Sequence, residues 1–393
     1  MTRRSPPRGA WPDSASRPLL TPIQPSVVYA TGAPDDLDAI YEGRAQGFTY
    51  AREGHPNAVA LARRIDAMEG AQDGLVVGSG MAAVTAALLG ALKAGDHVLG
   101  GDQLYGRTLR LFSETLPGLG IATSTADATD AAAMAAAIRP ETRMILIEVV
   151  SNPTIRVADV AGIARLARDR GLLLAIDNTF TTPRAFRPFD HGADIVIHSV
   201  TKLLAGHSDA TLGYVAARDA DLRARIATLA VTTGLTASPF DCWLAERGLF
   251  TFDLRYDRAE ANAAALADTL ARLPGVRRVL YPTRADHPDH NRAAALLGGH
   301  GSHMVSFEIA GGRAEANALV RAAEGIAFAP TLGDVATTLS HPASSSHRGL
   351  TPERRADLGM GEGFFRVSAG CEPTDALCEA FARAVEGSGA AAV

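Results

Sequence analysis

The chain has 393 residues, 47% hydrophobic and 21% charged, with a formal net charge of −5. That is an ordinary soluble composition with material for a large core, and without a basic excess it gives no argument for a nucleic-acid partner. The three cysteines, Cys242, Cys371 and Cys378, are too few and too scattered for a disulfide framework or a CxxC metal site, and small buried hydrophobes in a reducing, cytoplasmic compartment are the simplest reading.

In chain order, residues 1–18 (MTRRSPPRGAWPDSASRP) carry arginines but no apolar h-region, which reads as a flexible tail and not as a signal peptide. Residues 19–60 have Gly and Pro at intervals and read as an arm. From Leu61 a rhythm sets in. LARRIDAMEG reads as helix, LVVGSG as a short strand ending in glycines, and MAAVTAALLGALKAG as a helix closed by Gly95. DHVLGGD, MILIEVVSNPT, LLLAIDNTF and DIVIHSV read as strands, separated by helical stretches such as VADVAGIARLARDRG. Near-continuous apolar strands alternating with helices predict an α/β fold with a mainly parallel sheet covered on both faces. After about Phe250 the pattern changes to the helix AEANAAALADTLARL and the strands HMVSFEIA and FFRVSAG, which predict a smaller C-terminal α+β domain. The expected division is 1–60 for tail and arm, 61–250 for a large domain and 251–393 for the C-terminal one. No apolar run reaches the length of a membrane span.

Three stretches carry chemistry. Gly78-Ser79-Gly80 joins a strand to a helix and has the form of a phosphate cradle, since glycines and a helix N-terminus present free N–H groups to an anion. It lacks the GxGxxG spacing of a dinucleotide loop and the lysine of a P-loop, and a plain tight turn explains it equally well. Asp177 ends the apolar run LLLAI, where a carboxylate is costly unless something positive meets it; a helix cap or a structural ion pair is the bland alternative. Lys202 follows the run Ile195-Val196-Ile197, with Ser199 and Thr201 bringing hydroxyls to the same edge. A lysine there is most often a snorkelling surface residue. Together, however, a phosphate cradle, a carboxylate and a lysine at one sheet edge answer to one ligand, pyridoxal 5′-phosphate (PLP).

The residues also resemble a known family. FTYAREGHPN, GSGMAA, DQLYGRT, SNPT, IDNTF, HSVTKLLAGHSD, TLGD, HPASSSH and FFRVSAG occur in the order found in the Cys/Met-metabolism PLP enzymes, a group that includes cystathionine γ-synthase, cystathionine γ-lyase, methionine γ-lyase and the homoserine-ester sulfhydrylases. The resemblance spans roughly residues 19–385. It implies the fold-type I, aspartate aminotransferase-like architecture with residues 61–250 as the PLP domain, and a homotetramer of two tight dimers whose arms reach the neighbouring subunit. It implies Lys202 as Schiff-base lysine and proton shuttle, Asp177 as partner of the pyridinium nitrogen, Asn152 near the ring's phenolic oxygen, and Tyr105 stacked on the ring as an acid–base group. Gly80, Met81, Ser199 and Thr201 would hold the phosphate, with Tyr50 and Arg52 reaching the phosphate of the neighbouring subunit. Arg366 would take the substrate α-carboxylate, a task suited to a guanidinium fork, with Thr331 beside it.

The activity that follows is γ-elimination or γ-replacement on a sulfur- or homoserine-derived amino acid. Arg110 matches an arginine that cystathionine-type enzymes place near the distal end of the substrate and favours that group; methionine γ-lyase or homoserine-ester sulfhydrylase activity, on a specialised substrate in either case, is the alternative, and a β-lyase or aminotransferase a lesser one. Arg107, Pro330 and Thr49 depart from the family pattern. Gain of Arg107 and loss of acidic residues at the other two positions suggest a substrate with a distal ester or anionic group, although Arg107 at a solvent-facing pocket mouth explains that position equally well. His55 and Asn57, where the family reads GNPT, suggest only an altered local turn. A nicotinamide enzyme and a binding protein without turnover fit less well, the first for its glycine spacing, the second because Lys202, Asp177, Tyr105 and Arg366 are all present.

Overall fold

The apolar runs of the first half become a seven-stranded sheet. In the computed structural model, which describes residues 14–349 and 351–390, its strands are β1 (Leu75–Val77), β2 (His97–Gly101), β3 (Ala122–Ala126), β4 (Thr142–Glu148), β5 (Leu173–Asp177), β6 (Ile195–Ser199) and β7 (Gly213–Ala217). The tail expected over residues 1–18 lies mostly outside the described residues. The sheet order is β1-β7-β6-β5-β4-β2-β3. β2 through β6 pair in parallel. β7 runs antiparallel to both β1 and β6, so the sheet is mixed at that edge. Neither β3 nor β7 stands out in the sequence. β3 (ATSTA) is largely polar and half-exposed. β7 opens with Gly213, where a Cβ would lie 2.0 Å from the Ser79 carbonyl oxygen, so the close approach of these segments needs glycine.

Helices cover both faces. α1 (Pro34–Tyr41) lies in the arm. α2 (Pro56–Glu69) begins earlier than its apolar rhythm because His55 caps it, its Nδ1 accepting the Ala58 N–H at 3.2 Å. Asn57 ties down the arm: its Nδ2 donates to the Pro22 carbonyl at 2.9 Å and its Oδ1 accepts the Gln24 N–H at 2.8 Å. The two departures HPN thus act as a cap and an arm clasp. α3 (Gly80–Ala91) is capped by Ser79, whose Oγ accepts the Ala82 N–H at 3.1 Å. It ends at Leu92 rather than Gly95, which serves the following turn.

A second sheet, ordered β10-β11-β12-β9-β8, is built from β8 (Val276–Leu280), β9 (Met304–Ile309), β10 (Ala327–Phe328), β11 (Thr338–Ser340) and β12 (Phe364–Ser368). Helices 252–270, 313–322 and 374–387 pack on it around Phe307, Phe365 and Phe381. The two sheets meet in one apolar core, where Leu280, Met304 and Phe364 of the second join Ile145, Ile147 and Ile176 of the first. The carboxyl ends of β4, β5 and β6 open beside this junction, where an open α/β sheet places its ligand crevice. Among the described residues no helix is long and apolar enough to cross a membrane.

Candidate active site

Each of those three strands ends in a side chain that could not be left in a core. Glu148 ends β4, Asp177 ends β5 and Ser199 ends β6, with Lys202 in the turn beyond. Glu148 and Asp177 are register partners across the parallel pair, so their carboxyls leave the sheet at one level. They border a cavity of about 240 Å³.

The cavity gathers Gly80, Met81, Tyr105, Asn152, Asp177, Ser199, Thr201, Lys202, Thr331 and Arg366, all expected from the sequence, together with Ser79, Thr108, Glu148, Thr179 and Pro330. At one end is the start of α3, whose first N–H groups have no intrahelical partner. Gly80 lets that start approach β6: a Cβ there would lie 2.6 Å from the Ser199 Cβ. Thr179 joins two strands. Its hydroxyl donates to Asp177 Oδ1 at 2.6 Å and accepts the Ser199 N–H at 2.7 Å, and its own N–H reaches the same Oδ1 at 3.0 Å. Thr201 is turned to the backbone, donating to the Leu212 carbonyl at 3.1 Å and accepting the Leu212 N–H at 2.9 Å.

Lys202 makes no ion pair or side-chain hydrogen bond with another described residue, and burial, with the nearby Arg366 charge, holds its amine below the ordinary lysine range. Two features hold its turn. Arg255, buried in helix 252–270, donates to the carbonyls of Leu203 at 2.7 Å, Leu204 at 3.0 Å and Gly248 at 2.8 Å. Gly333, at φ +80°, brings the loop of Thr331 against Leu203, where a Cβ would lie 2.4 Å from its backbone nitrogen.

Arg366, on β12 and 6% exposed, forms the wall that comes from the second sheet. Its Nη1 donates to Asn152 Oδ1 at 2.9 Å and its Nη2 to the Thr331 carbonyl at 2.6 Å. Its buried Nε has no partner, and no carboxylate pairs with it among the described residues. The histidines near it are held neutral: burial first and Arg366 second push His303 down to about 3 and His347 to about 4. Burial raises both Asp177 and Glu148 above the usual carboxylate range, Glu148 the more strongly, with Asp177 as its second cause. Thr179 and the charge of His198 pull Asp177 back toward its anion.

This set fits a phosphorylated pyridine aldehyde: a helix N-terminus for the phosphate, a carboxylate for the ring nitrogen, an unpaired amine for the carbonyl carbon. The comparisons with known proteins decide the point. Residues 8–386 match the Cys/Met metabolism PLP-dependent enzymes. The chain belongs to this family. It is therefore a PLP-dependent enzyme of the trans-sulfuration type. It is 38% identical to an O-succinylhomoserine sulfhydrylase from Pseudomonas aeruginosa, over 91% of this chain and 88% of the relative. A cystathionine γ-synthase structure from Xanthomonas oryzae pv. oryzae superposes with a TM-score of 0.89 at 34% identity, covering 95% of this chain and 94% of the other. A Campylobacter jejuni structure solved with a pyridoxyl-lysine phosphate superposes with a TM-score of 0.91 at 28% identity, covering 96% and 98%.

Four expected residues are not in the cavity. Tyr50 and Arg52 stand on the arm, with the Arg52 guanidinium over the Tyr50 ring at 5.1 Å. Arg110 points along the surface, donating to Glu114 Oε2 at 2.8 Å, and Arg107 is exposed. An i, i+4 Arg–Glu spacing is the ordinary signature of such a surface pair. The expectation missed Glu148 and Thr179. Glu148 had a signal, because it follows the run MILI as Asp177 follows LLLAI.

Proposed function

We propose that this chain catalyses γ-elimination or γ-replacement on an amino acid whose γ-substituent is an ester or thioether without a distal ammonium. The carrying observation is the charge inventory of the cavity. Its charged side chains are Lys202, Arg366, Asp177 and Glu148. The two carboxyls sit side by side at the strand ends, so neither is free for a distal ammonium. The remaining lining, including Thr108, Pro330, Thr331 and Leu332, is uncharged.

In this reading Lys202 binds the cofactor, Asp177 pairs with its ring nitrogen, Tyr105 stacks on the ring, Asn152 lies near the phenolic oxygen, and Gly80, Met81, Ser199 and Thr201 hold the phosphate. Arg366, already oriented by Asn152 and Thr331, takes the α-carboxylate. Bound PLP supplies an electron sink that stabilises negative charge at the substrate's α-carbon. Lys202 would carry the α-proton, and burial, with the nearby Arg366 charge, lowers its pKa and so favours the free amine that can act as a base. Tyr105 serves the departing or incoming group. Elimination of an O-acylhomoserine consumes water and gives a 2-oxo acid, ammonia and the free acid. Replacement breaks the Cγ–O bond, puts the thiol sulfur in place of the acyloxy group, releases the free acid and keeps the amino group.

We also propose a cytoplasmic homotetramer in which Tyr50 and Arg52 complete the phosphate site of the neighbouring subunit. Apolar side chains left exposed on the arm, Leu19, Val27, Val28 and Tyr41, support it. The three cysteines are unpaired, as suits a reducing compartment.

The test is product analysis with O-succinylhomoserine, O-acetylhomoserine, methionine and cystathionine, each with and without a thiol, on wild type and Lys202→Ala. Turnover of the acyl esters or methionine above cystathionine is expected, and its loss in Lys202→Ala. Preference for cystathionine would refute the charge argument, and turnover by Lys202→Ala would refute the lysine assignment.

A further inference from the structure

Glu148 is the one charged cavity residue to which that mechanism gives no task. It is also the residue that touches Tyr105. Its Oε1 accepts the Tyr105 N–H at 2.6 Å. Tyr105 stands immediately before α4 (Gly106–Arg110), and no side-chain hydrogen bond caps that helix. The phenol is 43% exposed and the ring has no aromatic neighbour among the described residues. The Tyr105 carbonyl accepts the Leu109 N–H at 3.0 Å within the turn of α4, and the bond to Glu148 is the contact that ties this turn to β4.

We propose that Glu148 is a positioning residue: as an uncharged carboxylic acid it anchors the backbone of Tyr105 and so fixes the phenol ring against the cofactor. The proposal rests on the reading of Lys202 and Tyr105 given above and adds a role that reading leaves open. The uncharged form follows from the placement. Glu148 and Asp177 end neighbouring parallel strands in register. Two carboxylates so close cannot both ionise easily, and one of them keeps its proton. Asp177 is the one supported as an anion, by the N–H and hydroxyl of Thr179. Glu148 has only the Tyr105 N–H, a neutral donor that a carbonyl oxygen satisfies as well as a carboxylate does. A small cavity of about 20 Å³ also borders Glu148, with Asp102, Gln103, Ser151 and Arg156 in a mostly apolar lining, and none of these groups bonds to its carboxyl among the described residues. The division of labour is then complete: Asp177 holds charge and Glu148 holds geometry.

Glutamine keeps an acceptor oxygen at the same reach and cannot ionise, whereas aspartate keeps an ionisable carboxyl and withdraws the oxygen by one methylene. The experiment compares the Glu148→Gln, Glu148→Asp and Glu148→Met holoenzymes by kcat, KM, thermal midpoint and the visible circular dichroism of the bound cofactor. Glu148→Gln is expected to keep kcat within about twofold and the dichroic band unchanged; Glu148→Asp and Glu148→Met are expected to lose about tenfold or more in kcat and to alter the band, since a misplacement on the order of 1 Å at a reacting centre is costly. KM should move less than kcat. If Glu148→Asp equals or exceeds Glu148→Gln, the group acts through its charge and the proposal fails. If Glu148→Met keeps both kcat and the band, no anchor is needed and it fails too. Should Glu148→Met not fold, the order of Gln against Asp still decides. Lys202→Ala, made alongside, separates the two readings, because cofactor-dependent turnover without Lys202 would overturn the site assignment whatever the Glu148 variants do.

Discussion

Histidine 303 sits at the start of β9 with its ring fully enclosed and near a buried arginine. Its folded-state pKa is about 3 against 6.5 for the unfolded chain. Unfolding therefore takes up a proton at any pH between those values. The sign is that of a depressed pKa: the stability contribution is complete above pH 6.5 and is lost as pH falls below it toward 3, at up to about 1.4 kcal/mol per pH unit for this group. His303→Asn should lose less stability than wild type between about pH 7.5 and about pH 4.5. Urea unfolding at the two pH values measures it; parallel losses would mean that His303 does not carry this part of the acid sensitivity. Nothing in HMVSFEIA distinguished this histidine from a surface one, because its state depends first on burial in the fold and second on Arg366, 63 residues further on. The lysine and aspartate were legible for the opposite reason: each breaks an apolar run at its own end, a local pattern.

At the scale of the element, α3 and β6 depend on one missing methyl group. A Cβ on Gly80 would meet the Ser199 Cβ at 2.6 Å and its Oγ at 2.7 Å. Alanine favours a helix by up to ~1 kcal/mol, but the clash with Ser199 outweighs it, and Gly80→Ala is expected to lower the thermal midpoint of the cofactor-free protein. The start of α3 must shift away from β6 and take its free N–H groups with it. The dissociation constant for PLP should rise about tenfold or more, as read by absorbance titration of cofactor-free protein. An unchanged constant would remove α3 from the phosphate site. Glycine between a strand and a helix was readable as a cradle, and so was its position on the chain. What it approaches was not, since Ser199 lies on another strand. β7 was hidden for a related reason. Its run GYVAA is short and sits after a loop, and its strand character comes from pairing with β1 and β6 on both sides. Arg107 and Arg110 fall outside the cavity: Arg110 forms a surface ion pair with Glu114 at ordinary helix spacing, and Arg107 is exposed.

For the whole molecule, the arm is the part whose apolar side chains, Leu19, Val27, Val28 and Tyr41, are left exposed. If Arg52 serves the neighbouring subunit, defects in Arg52 and in Lys202 fall on different chains of a shared site. Arg52→Ala and Lys202→Ala proteins, each nearly inactive, should regain activity when unfolded, mixed in equal amounts and refolded together, to about a quarter of wild type for randomly paired dimers. Activity that stays at the mean of the two parents would put Arg52 in its own subunit's site or in none. The two-layer α/β plan was legible from periodicity, but the common core of the two sheets was not, because it joins Ile147 to Phe364 across more than half the chain. That core also sets a length. Lys202 is mounted on the first sheet and Arg366 on the second, so a substrate held by its carboxylate and worked on at its amine end spans the joint like a gauge between two jaws. A residue such as Leu280 or Met304, buried in the core and not lining the cavity, thereby helps determine how wide the jaws stand. Selection for one leaving group over another can then act on the hydrophobic joint while every residue that touches the substrate stays the same.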